Sequence, residues 1–215
     1  MDRRRVGIII PAFNESATIK KIVELVAVYG LPIVIDDGSI DNTGKIAFEA
    51  GALVISCEKN LGYDAALNIG FLKAIELKVK IVITIDADGQ HNPLLIKKFI
   101  SAIDSGADIV IGVRNSHQRF AEYLFAWYTN LRFGLKDPLC GMKAYTVNIY
   151  KMLGHFDSYG SIGTELVIFA FMNGYRVKQI PFYVRQRNGL SRFGRACSGN
   201  YKIIRAMVLS LWRIN

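Results

Sequence analysis

The first half of the chain alternates short, continuous apolar runs with longer stretches of helical periodicity. Arg5–Ile10, Pro32–Ile35, Ala52–Ser56, Ile81–Ile85 and Asp108–Val113 are the strand candidates. They are apolar throughout rather than at every second position, the pattern of strands covered on both faces. Between them, Ser16–Tyr29, Asp41–Ala50, Tyr63–Leu77 and Pro93–Ser105 read as helices, and Asn92-Pro93 is a capping side chain followed by a first-turn proline. Strand and helix in alternation at this spacing predict βαβ units and a mostly parallel sheet flanked by helices, an α/β fold. The second half is less regular. It predicts a helix over Gln118–Arg132, a turn and short strands over Asp137–Tyr145, a helix over Gly163–Asn173, a strand pair over Arg176–Val184 with Pro181 at a bulge or edge, and a last helix from Ser198 to Arg213.

In an open parallel sheet, ligands bind beyond the carboxyl ends of the strands. The polar residues that follow each strand therefore carry the chemistry. Pro11, Asn14 and Glu15 follow the first, Asp36-Asp37-Gly38-Ser39 the second, and Asp86-Ala87-Asp88-Gly89-Gln90-His91 the fourth. Asp86 and Asp88, one residue apart, can point the same way and hold a hard cation, Mg²⁺ or Mn²⁺, with Gln90 or His91 in support. A lone Asp-x-Asp is more often turn chemistry. Asp37 after a neighbouring strand tips the balance toward a site, since a carboxylate there accepts hydrogen bonds from a ribose or a base in nucleotide folds. Asp41 reads as a helix cap.

Composition sharpens this picture. The 215 residues are 51% apolar, enough for a sizeable core. The longest apolar runs, such as Leu166–Met172, are about seven residues against the roughly 20 that a spanning helix needs. The N-terminal apolar run stops at Pro11, unlike a signal peptide, and three scattered cysteines without a Cys-x-x-Cys predict neither disulfides nor structural zinc, hence a cytoplasmic setting. The formal charge of +9 is divided unevenly: residues 1–110 carry −2 and residues 111–215 carry +11, with nine basic and no acidic residues from Arg176 onward. Such a segment seeks an anionic partner or serves as a solvated face.

The segments PAFNES, VIDDGSIDNT, ITIDADGQHNP, DPLCGMKAY and RQRNGLSRFG occur in this order. Together they resemble the inverting glycosyltransferases of family two, which have the GT-A fold, and more narrowly the dolichol-phosphate mannose synthases and bacterial polyprenol-phosphate glycosyltransferases. The resemblance covers about residues 5–195. It implies a catalytic domain over 1–197, followed by a helix over 198–215. It further implies that Pro11, Ala12, Asn14, Glu15 and Asp37 hold the nucleoside of a nucleotide-sugar donor, GDP-mannose or a UDP-hexose. Asp64 lies in a segment that closes over base or ribose. Asp86, Asp88 and Gln90 hold the metal, Arg114 and Arg132 meet phosphate, and Asp137 sits near the acceptor. Arg185, Arg187, Ser191 and Arg192 form a phosphate site and lid.

The implied acceptor is a polyprenyl or dolichyl phosphate, already anionic, so a strong general base is less necessary than for a sugar hydroxyl, and arginines suit the task of holding two phosphorylated reactants together. A saccharide or protein hydroxyl acceptor is the alternative, with Asp137 or Glu165 as its base. Glu165 either orients acceptor or sugar or pairs with an arginine. Non-enzymatic nucleic-acid binding leaves the acidic strand ends unexplained, and no nucleic-acid partner is expected. On the last helix, Tyr201, Ile204, Met207, Val208, Leu211 and Trp212 fall near one side with Lys202, Arg205 and Arg213 largely off it. That pattern suits a lipid headgroup layer, reached directly or through a membrane-anchoring partner at the cytoplasmic face; the other reading is a helix packed on the domain.

Overall fold

The computed structural model describes residues 5–116, 119–184 and 196–214. The first-half runs form strands β1 (Val6–Ala12), β2 (Leu31–Asp36), β3 (Leu53–Ser56), β4 (Ile81–Thr84) and β5 (Ile109–Arg114). Helices α1 (Ile19–Val26), α2 (Thr43–Glu49), α3 (Tyr63–Glu76) and α4 (Ile96–Asp104) alternate with them. A 3-10 turn over Pro93–Leu95 opens α4, and Asn92 caps it by accepting from Leu94 N at 3.2 Å. Asp41 likewise accepts from Thr43 N at 2.9 Å, a capping contact at the start of α2.

The second half supplies α5 (Phe120–Phe133), β6 (Lys143–Thr146), α6 (Val147–Leu153), α7 (Glu165–Met172), β7 (Val177–Phe182) and α8 (Ala196–Ile214). Two differences from the sequence pattern stand out. The strand pair over Arg176–Val184 is one strand, β7, at the edge of the sheet, where Pro181 pairs with Val113 of β5 and leaves its missing N–H outward. Helix α6 was not marked by the pattern because it follows β6 directly, with no turn residue between them.

The sheet order is β3-β2-β1-β4-β6-β5-β7. All neighbouring pairs are parallel except those made by β6, which runs antiparallel to both β4 and β5. One core lies under α1, α2 and α4, with Ile22, Val26, Ala47, Phe99 and Ile103 on the sheet. The opposite face buries Leu67 and Phe71 of α3, Tyr150 of α6 and Val167 of α7. Phe71 stacks on Tyr150 and Phe156 at centroid distances of 4.9 and 5.2 Å. A third cluster, Ala121, Phe125, Ile203 and Ala206, joins α5 to α8. The order reverses at β1, between β2 and β4, and a ligand crevice is expected beyond the carboxyl ends of those strands.

Candidate active site

A cleft of about 1080 Å³ opens at that edge. Pro11, Ala12, Phe13 and Glu15 after β1, Asp37 after β2, and Asp86, Asp88 and Gln90 after β4 all line it. Asp37 is buried, and its carboxylate accepts from Leu61 N at 2.7 Å and Gly62 N at 2.9 Å, so it shapes the wall formed by 60–62. Asn14 is not among the lining residues. It adopts φ 53°, its N–H donates to Ser39 Oγ at 2.9 Å, and its Oδ1 accepts from Ile40 N at 2.8 Å. It braces the β1 loop on the β2 loop.

The loop after β4 presents Asp86 and Asp88 together. Asp88 Oδ1 accepts from Gln90 N at 3.0 Å, and Asp86 N donates to His91 Nδ1 at 3.4 Å. His91 is buried edge-on against Phe182, so it anchors the loop. Gly141 passes beneath Asp86 with no room for a Cβ, and its carbonyl is fixed by Thr84 Oγ1 at 2.7 Å. Among the described residues no three His, Cys, Asp or Glu side chains converge. Two carboxylates and an amide are an all-oxygen, incomplete shell, the donor set that suits Mg²⁺ or Mn²⁺ sharing its remaining positions with a substrate's phosphates.

The same cleft is lined by Arg114 at the end of β5, Arg119 before α5, and Lys202 and Arg205 of α8. Arg114 Nε and Nη2 donate to the two oxygens of Asp137 at 2.8 and 2.9 Å, and its backbone N–H adds a third bond at 3.0 Å. Burial works against the guanidinium's charge, but the Asp137 bond outweighs it and the net shift is upward. Glu122 lies 3.3 Å from Arg114 and 3.4 Å from Arg119, completing a buried network. Asp137 is therefore the orienter of Arg114; it does not line the cleft. Arg132 is exposed near the end of α5 and does not line the cleft. It lies 13 residues after Arg119, about 220° around the helix, which turns it to the other side. Glu165 accepts from Ser158 N and Oγ and meets His155 Nε2 at 3.1 Å. It holds the 155–158 loop and pairs with a histidine. Arg185, Arg187, Ser191 and Arg192 lie outside the described residues.

Asp64, in the first turn of α3, lines the cleft and joins it to the 157–163 loop, accepting from Ile162 N at 3.2 Å. Its Oδ1 is buried with no hydrogen-bond partner among the described residues. Burial, then the neighbouring Asp157, push its carboxyl up to about 7, against the opposing hydrogen bonds from Ile162 and Gly163. Below lies Lys143, fully buried in β6, whose Nζ donates to Gly163 O at 2.9 Å; burial lowers it to about 8. Arg119, Glu122 and Lys143 were missed from sequence. Glu122 carried a signal, being the sole acidic residue between Asp108 and Asp137.

On α8, Ile203, Ala206 and Ser210 are the buried side, and Tyr201, Ile204 and Val208 point outward. The helix is packed on α5, and part of the apolar side read from sequence is solvent-facing. Helix α5 carries an exposed stripe of its own: Phe120, Tyr123, Trp127 and Leu131 are 76%, 53%, 64% and 73% exposed at spacings of three, four and four. No helix among the described residues is long and apolar enough to cross a membrane.

Comparison with known proteins places this geometry. Residues 7–140 match the family model described as glycosyl transferase family 2. A polyprenol monophosphomannose synthase of Mycolicibacterium smegmatis is 30% identical over 215 residues, covering 88% of this chain and 81% of the relative. A dolichyl-phosphate hexose transferase of Haloferax volcanii is 28% identical over 78% of this chain and 75% of its own. Glucosyl-3-phosphoglycerate synthase of Mycobacterium tuberculosis, solved with Mn²⁺, UDP and glucosyl-3-phosphoglycerate, superposes with a TM-score of 0.79 at 23% identity, over 96% of this chain and 79% of that one. The sheet with its one reversed strand, the paired aspartates after β4 and the match over residues 7–140 agree: the chain belongs to glycosyl transferase family 2 and is built on the GT-A fold.

Proposed function

We propose that the protein transfers a hexose from a nucleotide sugar to a polyprenyl or dolichyl phosphate, with inversion, and that the reaction depends on Mg²⁺ or Mn²⁺. The observation that carries this reading is the cleft itself, which Asp86 and Asp88 line together with Arg114, Arg119, Lys202 and Arg205. Two phosphorylated reactants repel, and a site that offers both a cation and fixed basic groups brings them together. An acceptor phosphate oxygen attacks the anomeric carbon. The bond from that carbon to the donor's β-phosphate oxygen breaks, and the nucleoside diphosphate leaves. Asp86, Asp88 and Gln90 would hold a divalent ion there, which stabilises the charge on the diphosphate. Pro11, Ala12, Glu15 and Asp37 border the end of the cleft assigned to the nucleoside.

The two carboxylates considered as bases for a hydroxyl acceptor are otherwise engaged. Asp137 holds Arg114, and Glu165 holds Ser158 and His155. This favours an acceptor that is already ionised. The aromatic stripe of α5 favours a lipid one. Glu122 is the sole acid on α5 and is buried, and α8 has none, so aromatic and basic groups face out with no exposed carboxylate on either helix, as on surfaces that settle among anionic headgroups. The names of the Mycolicibacterium and Haloferax relatives agree with such an acceptor.

Asp88→Ala tests the reading: transfer to polyprenyl phosphate falls by at least about 100-fold with the far-UV spectrum unchanged. Full activity in that variant with metal chelated refutes it. An acceptor series of polyprenyl phosphate, 3-phosphoglycerate and free saccharides separates the lipid reading from the rest.

A further inference from the structure

Helix α3 and strand β6 meet at the cleft edge of the sheet. Lys143 and Tyr145, two positions apart on β6, point to the same face, and Tyr145 packs edge-on against Phe71 of α3 at 5.4 Å. Asp64 stands two helical turns before Phe71, on the same side of α3. The two elements grip one residue between them. Lys143 Nζ donates to Gly163 O at 2.9 Å, and the Asp64 carboxylate accepts from the N–H of Gly163 and, at 3.2 Å, from that of Ile162.

The gripped turn is held at a cost. Gly160, Ile162 and Gly163 have φ of 72°, 57° and 70°, and Ile162 is β-branched, the residue type least suited to that region. Lys143 brings an ammonium into a buried position, where burial works against its charge. Asp64 Oδ1 and Tyr145 Oη are buried with no hydrogen-bond partner among the described residues. A partly satisfied buried polar network is worse for stability than an apolar core. Strain of this kind persists only where the surroundings over-determine it, and it gathers at functional sites. What the turn carries is a stretch of the cleft, since residues 157–160 and 162 line it. The same stretch is braced by Asp157, which accepts from Gly160 N at 2.8 Å and Ser161 N at 2.6 Å, and by Arg205, which donates to Tyr159 O at 2.8 Å.

We propose that Lys143 is a positioning residue of the transfer reaction: from within the sheet it fixes Gly163, and through Gly163 it sets the 157–162 wall of the cleft. The inference rests on the glycosyl-transfer reading above. Lys143→Met tests it, because the variant keeps a side chain of similar reach and removes the donor. Three quantities are read on the full chain: amide hydrogen exchange, binding of UDP and GDP with Mn²⁺, and kcat for transfer to polyprenyl phosphate. Exchange over residues 160–164 is expected to quicken at least about tenfold while strands β1 to β5 keep their protection. The nucleoside diphosphate binds within about twofold of the wild type, and kcat falls at least about tenfold. A fall in kcat without faster exchange, faster exchange without a fall in kcat, or faster exchange throughout the sheet with diphosphate binding lost in step overturns the proposal. Tyr145→Phe is the control: it deletes a hydroxyl of the same cluster and leaves all three quantities unchanged, and a loss there equal to that of Lys143→Met overturns the assignment to Lys143. Should Lys143→Met not fold, the wild type decides. Amide protons of residues 162 and 163 that exchange as slowly as those of β6 support the proposal, and exchange at the rate of an exposed loop overturns it. A wild type that transfers nothing to polyprenyl phosphate refutes the glycosyl-transfer reading instead.

Discussion

Arg114 and Asp137 act as a pair, and neither makes sense singly. Removing one partner of a buried ion pair strands the other, at about 3–5 kcal/mol. For Asp137→Ala the loss falls toward the lower end, because Glu122 remains 3.3 Å from Arg114; urea unfolding measures it. Asp64 links residue chemistry to pH. Its carboxyl titrates near 7 in the folded chain against an ordinary value of 3.8, so the native state holds a proton that the unfolded chain has released. Stability therefore declines as pH rises from about 4 to about 7, by up to about 1.4 kcal/mol per pH unit, and levels off above. Asp64→Asn removes this part of the slope, and urea midpoints at pH 5 and pH 8 for both proteins check it. Asp37, Asp86 and Asp88 are legible in sequence because each directly follows an apolar strand, and strand ends are where ligands bind. The partnership of Arg114 and Asp137 is not, since it spans 23 residues and is made by a turn with no local signature. Lys143 reads as an ordinary charged strand residue, and only the fold reveals that it is buried.

At the scale of elements, close approach is the recurring requirement. Gly70 lies in the middle of α3, where an added methyl would overlap Ile9 of β1. Gly70→Ala lifts the helix off the sheet at about 1–3 kcal/mol, visible as a lower thermal midpoint. Gly141→Ala leaves the helices intact but drives a methyl into the Asp86 carboxylate. The expected outcome is loss of Mn²⁺-dependent binding of UDP or GDP in a folded protein. Helix α5 shows how far periodicity can be read. Its aromatic content is plain in the sequence, but residues apolar all round do not say which side faces the core. Contact with α8 decides it: Ala121 and Phe125 turn inward, and Phe120, Trp127 and Leu131 are left outside.

For the molecule as a whole, the charge division of the sequence becomes a division of the cleft. Its basic groups come from β5, the start of α5 and α8, and of its acidic groups only Glu122 and Asp157 lie in the second half. The first half was legible nearly element by element, since each strand there is a buried run bounded by turns. The second half was not, because a reversed strand and an edge strand carry no pattern that distinguishes them from hairpins. The outward aromatics give a measurable expectation. Phe120→Ser with Trp127→Ser weakens sedimentation with vesicles containing phosphatidylserine by about tenfold or more, at about 1.5–3 kcal/mol of burial for a large apolar side chain. Binding to neutral vesicles is weaker from the start, and salt reduces it less.

The reversed strand has a consequence for how the chain comes together. Strand β6 sits between β4 and β5 but is synthesised after both. Until residues 143–146 have emerged, β4 and β5 each present an open edge, and no strand joins the nucleotide side of the sheet to the arginine side. A fragment ending at residue 135 contains 129 of the 134 residues matched by the family model and still lacks the piece that closes the sheet, so its two halves would be left waiting for each other.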